Sequence, residues 1–194
     1  MASPVSRIWW RLVSRQLGGP SGPLGAVAAR VLDRGNRTVT VEAVEARGLT
    51  GGRVHGVDPS AAMVRRARRR HADATTAGTL TVHEGSMQSL PFADGRLDAW
   101  ISLNTIYFVP DLGPAARELR RVLAPTGAGV LGVADPAWMR EQPFTVEGFV
   151  LRPLEEDVAA LEAAGLVVER RTVSDARMPV PYNLLVCRPG GFPT

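Results

Sequence analysis

The chain has 194 residues and a mass of 20.8 kDa, a length that fits one domain. It is 45% hydrophobic and 22% charged, which excludes wholesale disorder and coiled coil, and no apolar run reaches the ~18–20 residues of a membrane span. One cysteine, Cys187, rules out an internal disulfide framework and any multi-Cys zinc site.

The opening MASPVSRIWWRLVSRQL is basic and apolar but has neither a continuous hydrophobic stretch nor a small-residue cleavage site. A cytoplasmic protein with no membrane partner is the expectation. All 23 basic residues are arginine, which accounts for a pI near 10.4 at a net charge of only +4. The absence of lysine beside many Ala, Gly, Pro and Val fits a GC-rich codon bias, as in high-GC bacteria. Arg65, Arg66, Arg68, Arg69 and Arg70 form the densest run. They share a predicted helix with Met63, Val64 and Ala67, and no aromatic residues interleave them, so they read as a solvated face rather than a nucleic-acid site.

In chain order, 5–17 reads as a helix, with Ile8, Trp9, Leu12, Val13 and Leu17 at helical spacing. Trp9 and Trp10 are neighbours on it, so one is expected to pack and the other to face an opening or a partner. GGPSGPLG (18–25) is a turn, and a second helical stretch, bent near Gly35, runs to ARGLTGG (46–52). This N-terminal helical segment, 1–50, precedes an α/β core over 51–194. In the core, RVHGVD (53–58) is a strand, and Ser60 caps a helix reaching about His71. TLTVHEG (79–85) and LDAWISLN (97–104) are further strands, the second apolar enough for a sheet covered on both faces. A helix over 112–123 ends at APTGAG, GVLGVA (129–134) is a strand, and a helix over 153–164 stops at Gly165. LVVERRTV (166–173) and NLLVCR (183–188) form a closing pair. The alternation predicts a mostly parallel sheet with helices on both faces.

Ligands of such sheets bind at the carboxyl ends of the strands. GRVHGVDPS places Asp58 at one tip, where a carboxylate can accept both hydroxyls of a ribose. EGSMQSLPF offers Gly85, Ser86 and Met87 at the next, small and soft enough to hold an adenine ring. LDAWISLNTIYF sets Asn104, Thr105 and Tyr107 at the third. Duller roles compete: Asp58 as a strand end before a Pro turn, Met87 as packing, Asn104 as a turn residue. His55, His71 and His83 lack metal-ligand spacing and read as ordinary, and Cys187 as buried and inert.

The stretches GRVHGVDPSAAMVRRARRR, VHEGSMQSLPFADGRLDAWISLNTIYFVPD and ARELRRVLAPTGAGVLGV, in this order and spacing, resemble class I S-adenosylmethionine-dependent methyltransferases. The resemblance covers about 52–190. It implies a Rossmann-like sheet of seven strands whose last strand is antiparallel, and S-adenosyl-L-methionine as cofactor. It implies cofactor contacts from Gly56, Asp58, Pro59, Met63, Gly85, Ser86, Met87 and Asn104, with Asp58 on the ribose and Ser86 and Met87 on the adenine. Asn104, Tyr107 and Asp135 are candidates beside a small-molecule methyl acceptor; no metal is implied.

The family's strand followed by Gly-x-Gly-x-Gly is not present as such. RVLDRGNRT (30–38) has the Val-Leu-Asp-x-Gly start, with Gly35 23 positions before Asp58, but Asn36, Arg37 and Thr38 follow it. On this account the loop is degenerate. A second account, which suits the sequence better, joins a pre-strand helix directly to the 53–58 strand and lacks the glycine segment. Two other function classes compete with the transferase: a non-catalytic module of this fold acting by association, with homo-oligomer pairing through its exposed edges, and a nicotinamide-dependent oxidoreductase using Asp58.

Overall fold

Short aliphatic runs between turn formers become the strands of this fold, and the computed structural model describes residues 52–145, 147–173 and 180–191. β1 (Val54–Asp58) and β2 (Leu80–Glu84) are parallel, with Val54 opposite Leu80 and Asp58 opposite Glu84. Their crossover is α1 (Ala61–Arg70) followed by the short α2 (Ala72–Thr76). Ser60 caps α1 as its sequence position predicts, its hydroxyl accepting from Met63 N. α1 packs on β1 and β2 with Val64 as its buried residue, while Arg65, Arg68, Arg69 and Arg70 stay exposed. The arginine run is thus a solvated face, although Arg68 also donates to the Val82 carbonyl.

The second sheet has the order β3-β4-β6-β5. β3 (Leu97–Leu103) runs parallel to β4 (Leu123–Ala134), and β6 (Tyr182–Pro189) lies antiparallel between β4 and β5 (Leu166–Val173). α3 (Leu112–Val122) connects β3 to β4, and α5 (Leu154–Ala163) precedes β5; the two helices pack on each other. Between β4 and α5 stand α4 (Pro136–Glu141) and a 3₁₀ turn, Pro143–Thr145. β4 and β6 carry the core: Val130, Leu131, Leu184, Leu185, Val186 and Cys187 are all buried. This is the mostly parallel, Rossmann-like arrangement with an antiparallel last strand. Among the described residues, no helix is long and apolar enough to cross a membrane.

Several boundaries differ from the sequence reading. β4 begins at Leu123, directly after α3, because APTG (124–127) bulges out of the strand instead of forming a separate turn. α2 and α4, of five and six residues, are too short to announce themselves by periodicity. The helices read over 5–17 and 26–46, Trp9, Trp10 and the RVLDRGNRT stretch lie outside the described residues.

Cys187 is free and fully buried, and burial pushes its thiol up to about 12, so the inert role expected for it holds. Gly129 is a second packing constraint. It pairs with Trp100 across β3 and β4, and a Cβ there would stand 2.0 Å from Trp100 Cε2. The indole lies flat over the bare backbone, so Gly129→Ala should destabilise the fold by about 1–3 kcal/mol through overpacking. Urea unfolding midpoints check this; an unshifted midpoint would mean that Trp100 has another rotamer available.

Candidate functional site

Two strand tips are tied together at the carboxyl end of the first sheet. Asp58 ends β1, and its carboxylate Oδ1 accepts from Ser60 N at 2.7 Å, so the side chain is fixed by the turn that starts α1. The Asp58 carbonyl accepts from Gly85 N at 3.2 Å, which brings the tip of β2 alongside. Position 85 is closely packed. A Cβ there would meet Val57 Cγ1 at 3.2 Å and the Ser89 carbonyl at 3.5 Å. Ser86 and Met87 follow, both half-buried, in a tight turn closed by Ser89 N donating to the Ser86 carbonyl at 3.1 Å.

Asp58 is half-buried, and desolvation raises its pKa from the ordinary carboxylate value, partly opposed by the Ser60 N–H. Its second oxygen takes no hydrogen bond from any described residue, leaving an acceptor at the tip. The turn after β2 is braced from α3. Arg121 donates to the carbonyls of Phe92 and Leu90, to Asp94 and to Glu118, and Glu118 accepts from Leu90 N at 2.7 Å. Hydrogen bonding from Arg121 is the main reason that the Glu118 carboxyl lies below its usual range.

Asn104 follows β3 with φ of 56°, a left-handed conformation that asparagine tolerates better than most residues, and its N–H donates to the Gly132 carbonyl at 2.9 Å. The chain then turns through a 3₁₀ helix, Ile106–Phe108. Asp135, just past β4, caps α4 by accepting from Trp138 N at 2.9 Å.

Two candidates stand elsewhere than expected. Tyr107 is 5% exposed; its hydroxyl accepts from Ala134 N at 2.6 Å and faces the Ala134 carbonyl at 3.4 Å. Burial pushes that phenol well above its ordinary pKa, so Tyr107 is a post between the β3 and β4 tips and not a group open to an acceptor. Gly56 lies in mid-strand, two residues before the tip, where a Cβ would meet the Val82 side chain at an ordinary 3.6 Å. Pro59 is exposed and Met63 half-buried on α1, next to the tip that carries Asp58.

Sequence reasoning also missed three features. His55 Nδ1 and His83 Nε2 lie 3.1 Å apart, and both rings meet Phe92 edge-on; 28 positions separate the two histidines, and only strand register brings them together. Arg152 Nε pairs with Asp157 at 2.9 Å, and its other nitrogens donate to the carbonyls of Ile106, Val109 and Pro110. Finally, Phe108, Trp138, Phe144 and Phe149 form a connected aromatic cluster past the ends of β3 and β4. Two arginines, Arg140 and Arg152, and three aromatics, Trp138, Phe144 and Phe149, between Trp138 and Pro153 were the available signal for the last two.

The acceptor oxygen on Asp58 suits a diol, and the half-buried Ser86 and Met87 at the adjoining tip offer a small polar and a soft apolar contact for a flat ring. These residues therefore fit the adenosine end of S-adenosylmethionine. The stretch that would meet its methionine end, 30–38, lies outside the described residues.

Comparison with known proteins identifies the family. Residues 29–131 match the family described as "Methyltransferase domain", a span that takes in RVLDRGNRT as well as all three strand tips. An uncharacterised protein of Mycobacterium tuberculosis is 32% identical over 165 residues, covering 78% of this chain and 54% of that protein. The chain thus spans about half the length of the curated relatives it matches. An S-adenosylmethionine-dependent methyltransferase of Thermotoga maritima superposes with a TM-score of 0.63 at 19% identity, covering 81% of this chain and 91% of that one. The [4+2]-cyclase SpnF superposes with a TM-score of 0.63 at 16% identity over 79% of this chain and 81% of its own. At such identities the likeness is one of fold, and one fold hosts several chemistries. By its matched domain and its fold, the chain belongs to the class I methyltransferase family, whose cofactor is S-adenosylmethionine.

Proposed function

We propose that the chain is the catalytic domain of an S-adenosylmethionine-dependent methyltransferase that acts on a small-molecule acceptor by in-line transfer. The observation that carries this reading is the pairing of an accepting carboxylate, Asp58, with the glycine-lined tip of β2 through the Gly85 N–H. When bound, the cofactor supplies a sulfonium methyl group whose transfer needs alignment more than acid or base. Asp58 would hold the ribose hydroxyls, and Ser86 and Met87 would flank the adenine. Asn104, fixed in its left-handed turn by the Gly132 carbonyl, would stand beside the transferring group. Tyr107 serves by holding Ala134 and hence the β4 tip. Asp135 has one carboxylate oxygen committed to capping α4 and would stand on the acceptor side.

Calorimetric titration with S-adenosylhomocysteine tests the reading. Asp58→Ala should weaken binding by about 1.5–3 kcal/mol, the range for hydrogen bonds to a charged group. Unchanged affinity in a folded variant would remove Asp58 from the site.

Acidification gives a second test. The diol needs the ionised carboxylate, so affinity is full above the pKa of Asp58 and falls as pH drops through it. Because burial raises that pKa, the loss should begin at a higher pH than an exposed aspartate would give, and Asp58→Asn should flatten the profile. A profile in the wild type as flat as in that variant would contradict the assignment.

A further inference from the structure

β5 ends the second sheet: in the order β3-β4-β6-β5, no described strand lies beyond it. Its side chains alternate between two faces. On one face Leu166 and Val168 pack into the core, and Arg170 donates from Nε to Asn183 Oδ1 at 3.1 Å and stands 3.8 Å from Glu155 of α5. The other face carries Val167, Glu169, Arg171 and Val173. Val167 is 61% exposed, and Glu169 accepts from Arg171 Nε at 2.7 Å and from Arg188 of β6 at 3.3 Å.

The ladder with β6 decides which backbone groups of β5 face outwards. Gly190 N donates to the Gly165 carbonyl at 2.9 Å, one step outside the pairing of Leu166 with Pro189. Along an antiparallel ladder, positions that exchange hydrogen bonds alternate with positions that do not. Since Gly165 is of the first kind, Val167, Glu169, Arg171 and Val173 bond to β6. The N–H and C=O groups of Leu166, Val168, Arg170 and Thr172 therefore point away from it. Pro189, which has no N–H to give, stands opposite Leu166 as this phase requires. β6 keeps the matching phase on its other side, where Asp135 N donates to the Pro181 carbonyl at 2.9 Å and Asn183, Leu185 and Cys187 bond to β4. Such an outer row of donors and acceptors is a template for another strand.

A second copy of β5 fits that template. Two copies set antiparallel about a two-fold axis must exchange bonds through their outward residues, so the allowed registers differ by two residues. With the axis at Arg170, Val168 exchanges bonds with Thr172 of the second copy. The close positions between them then put Glu169 opposite Arg171 and Val167 opposite Val173, each twice. Sliding one copy by two residues sets Glu169 against Glu169 in one direction and Arg171 against Arg171 in the other. Like charges directly opposite each other are destabilising, so the pattern V-x-E-x-R-x-V over 167–173 selects the central register. Arg170 meets its own copy at the axis, but its guanidinium is held on Asn183 and beside Glu155.

We infer that β5 is a homodimer interface, which joins two copies of this chain into one continuous sheet through an antiparallel β5–β5 ladder. It draws on no residue of the proposed cofactor site.

Sedimentation velocity on the full chain, across a micromolar to submillimolar concentration series, tests this. The expected result is a dimer whose dissociation constant rises at least about tenfold in Glu169→Arg and in Arg171→Glu, each of which sets like charges opposite each other twice. Combining the two substitutions restores opposite charges in the same register and should return the constant to near the wild-type value. Thr172→Pro removes an outward N–H and no bond to β6, so it should weaken the dimer while the circular dichroism of the fold is kept. A monomer at every concentration, a dimer that neither charge reversal weakens, or a loss that the double exchange leaves unrestored would overturn the inference. In a monomer, slow amide exchange at Val168 and Arg170 would show that another segment of this chain covers the edge instead.

Discussion

Arg152→Ala should cost about 3–5 kcal/mol of folding stability, because it strips the partner from a carboxylate that is 3% exposed. The guanidinium does two jobs at once. It neutralises Asp157, in the first turn of α5, and it donates to the carbonyls of Ile106, Val109 and Pro110 at the 3₁₀ turn after β3. Alanine can do neither, and Asp157 is then left charged in a buried place. Even with Arg152 present, burial outweighs the pairing and raises the Asp157 pKa. Without the arginine it rises further. A carboxyl whose folded pKa exceeds its unfolded one favours the fold at low pH and loses that contribution as pH rises through the folded value. The defect should therefore be larger at neutral than at mildly acidic pH. Replacing both partners, as Arg152→Met with Asp157→Leu, should recover part of the loss, since the cost lies mainly in the orphaned charge. Guanidinium chloride unfolding of the three variants measures this, and a single-variant loss below about 1 kcal/mol would place the pair among exposed ion pairs of little worth.

What was legible in the sequence follows from how local the cause of each element is. β5 has the bounds that its LVVERRTV run predicts, because a β-branched stretch that starts just after the helix stop at Gly165 marks its own beginning. Ser60 was readable as a cap, and Asp58 and Gly85 as strand tips, since a turn residue after an aliphatic run needs no distant partner. The core role of Tyr107 was not readable. Its position past a strand tip suggests an open site, and only the fold brings Ala134, 27 residues on, within 2.6 Å of the hydroxyl. Arg152 escaped for the same reason. An arginine in sequence looks like surface, and its burial depends on three carbonyls 42 to 46 residues away. The His55–His83 pair likewise exists only through the register of β1 on β2.

S-adenosylhomocysteine should bind this chain weakly, and restoring glycine at 37 and 39 should tighten it. The matched span starts at residue 29, which supports the account in which RVLDRGNRT is a degenerate form of the family's loop over the account in which that loop is missing. In the frame set by Val31-Leu32-Asp33-Arg34-Gly35, the second and third glycine positions hold Arg37 and Val39. A glycine loop contributes close backbone approach and N–H donors to the far end of the ligand from Asp58. On that account a guanidinium stem and a branched side chain would stand where the family has bare backbone. Losing two or three hydrogen bonds at about 1.5–3 kcal/mol each, at about 1.4 kcal/mol per decade, moves a micromolar site towards millimolar. On the proposed reading Asp58, Ser86 and Met87 would hold the adenosine end and would have no reach to compensate. Arg37→Gly with Val39→Gly should therefore raise affinity by at least about tenfold, the equivalent of one such bond regained. A low-micromolar dissociation constant for the unaltered chain would refute the argument at its root. Weak binding that the two glycines leave unimproved would return the choice to the missing-segment account, in which residues 30–38 never face the ligand.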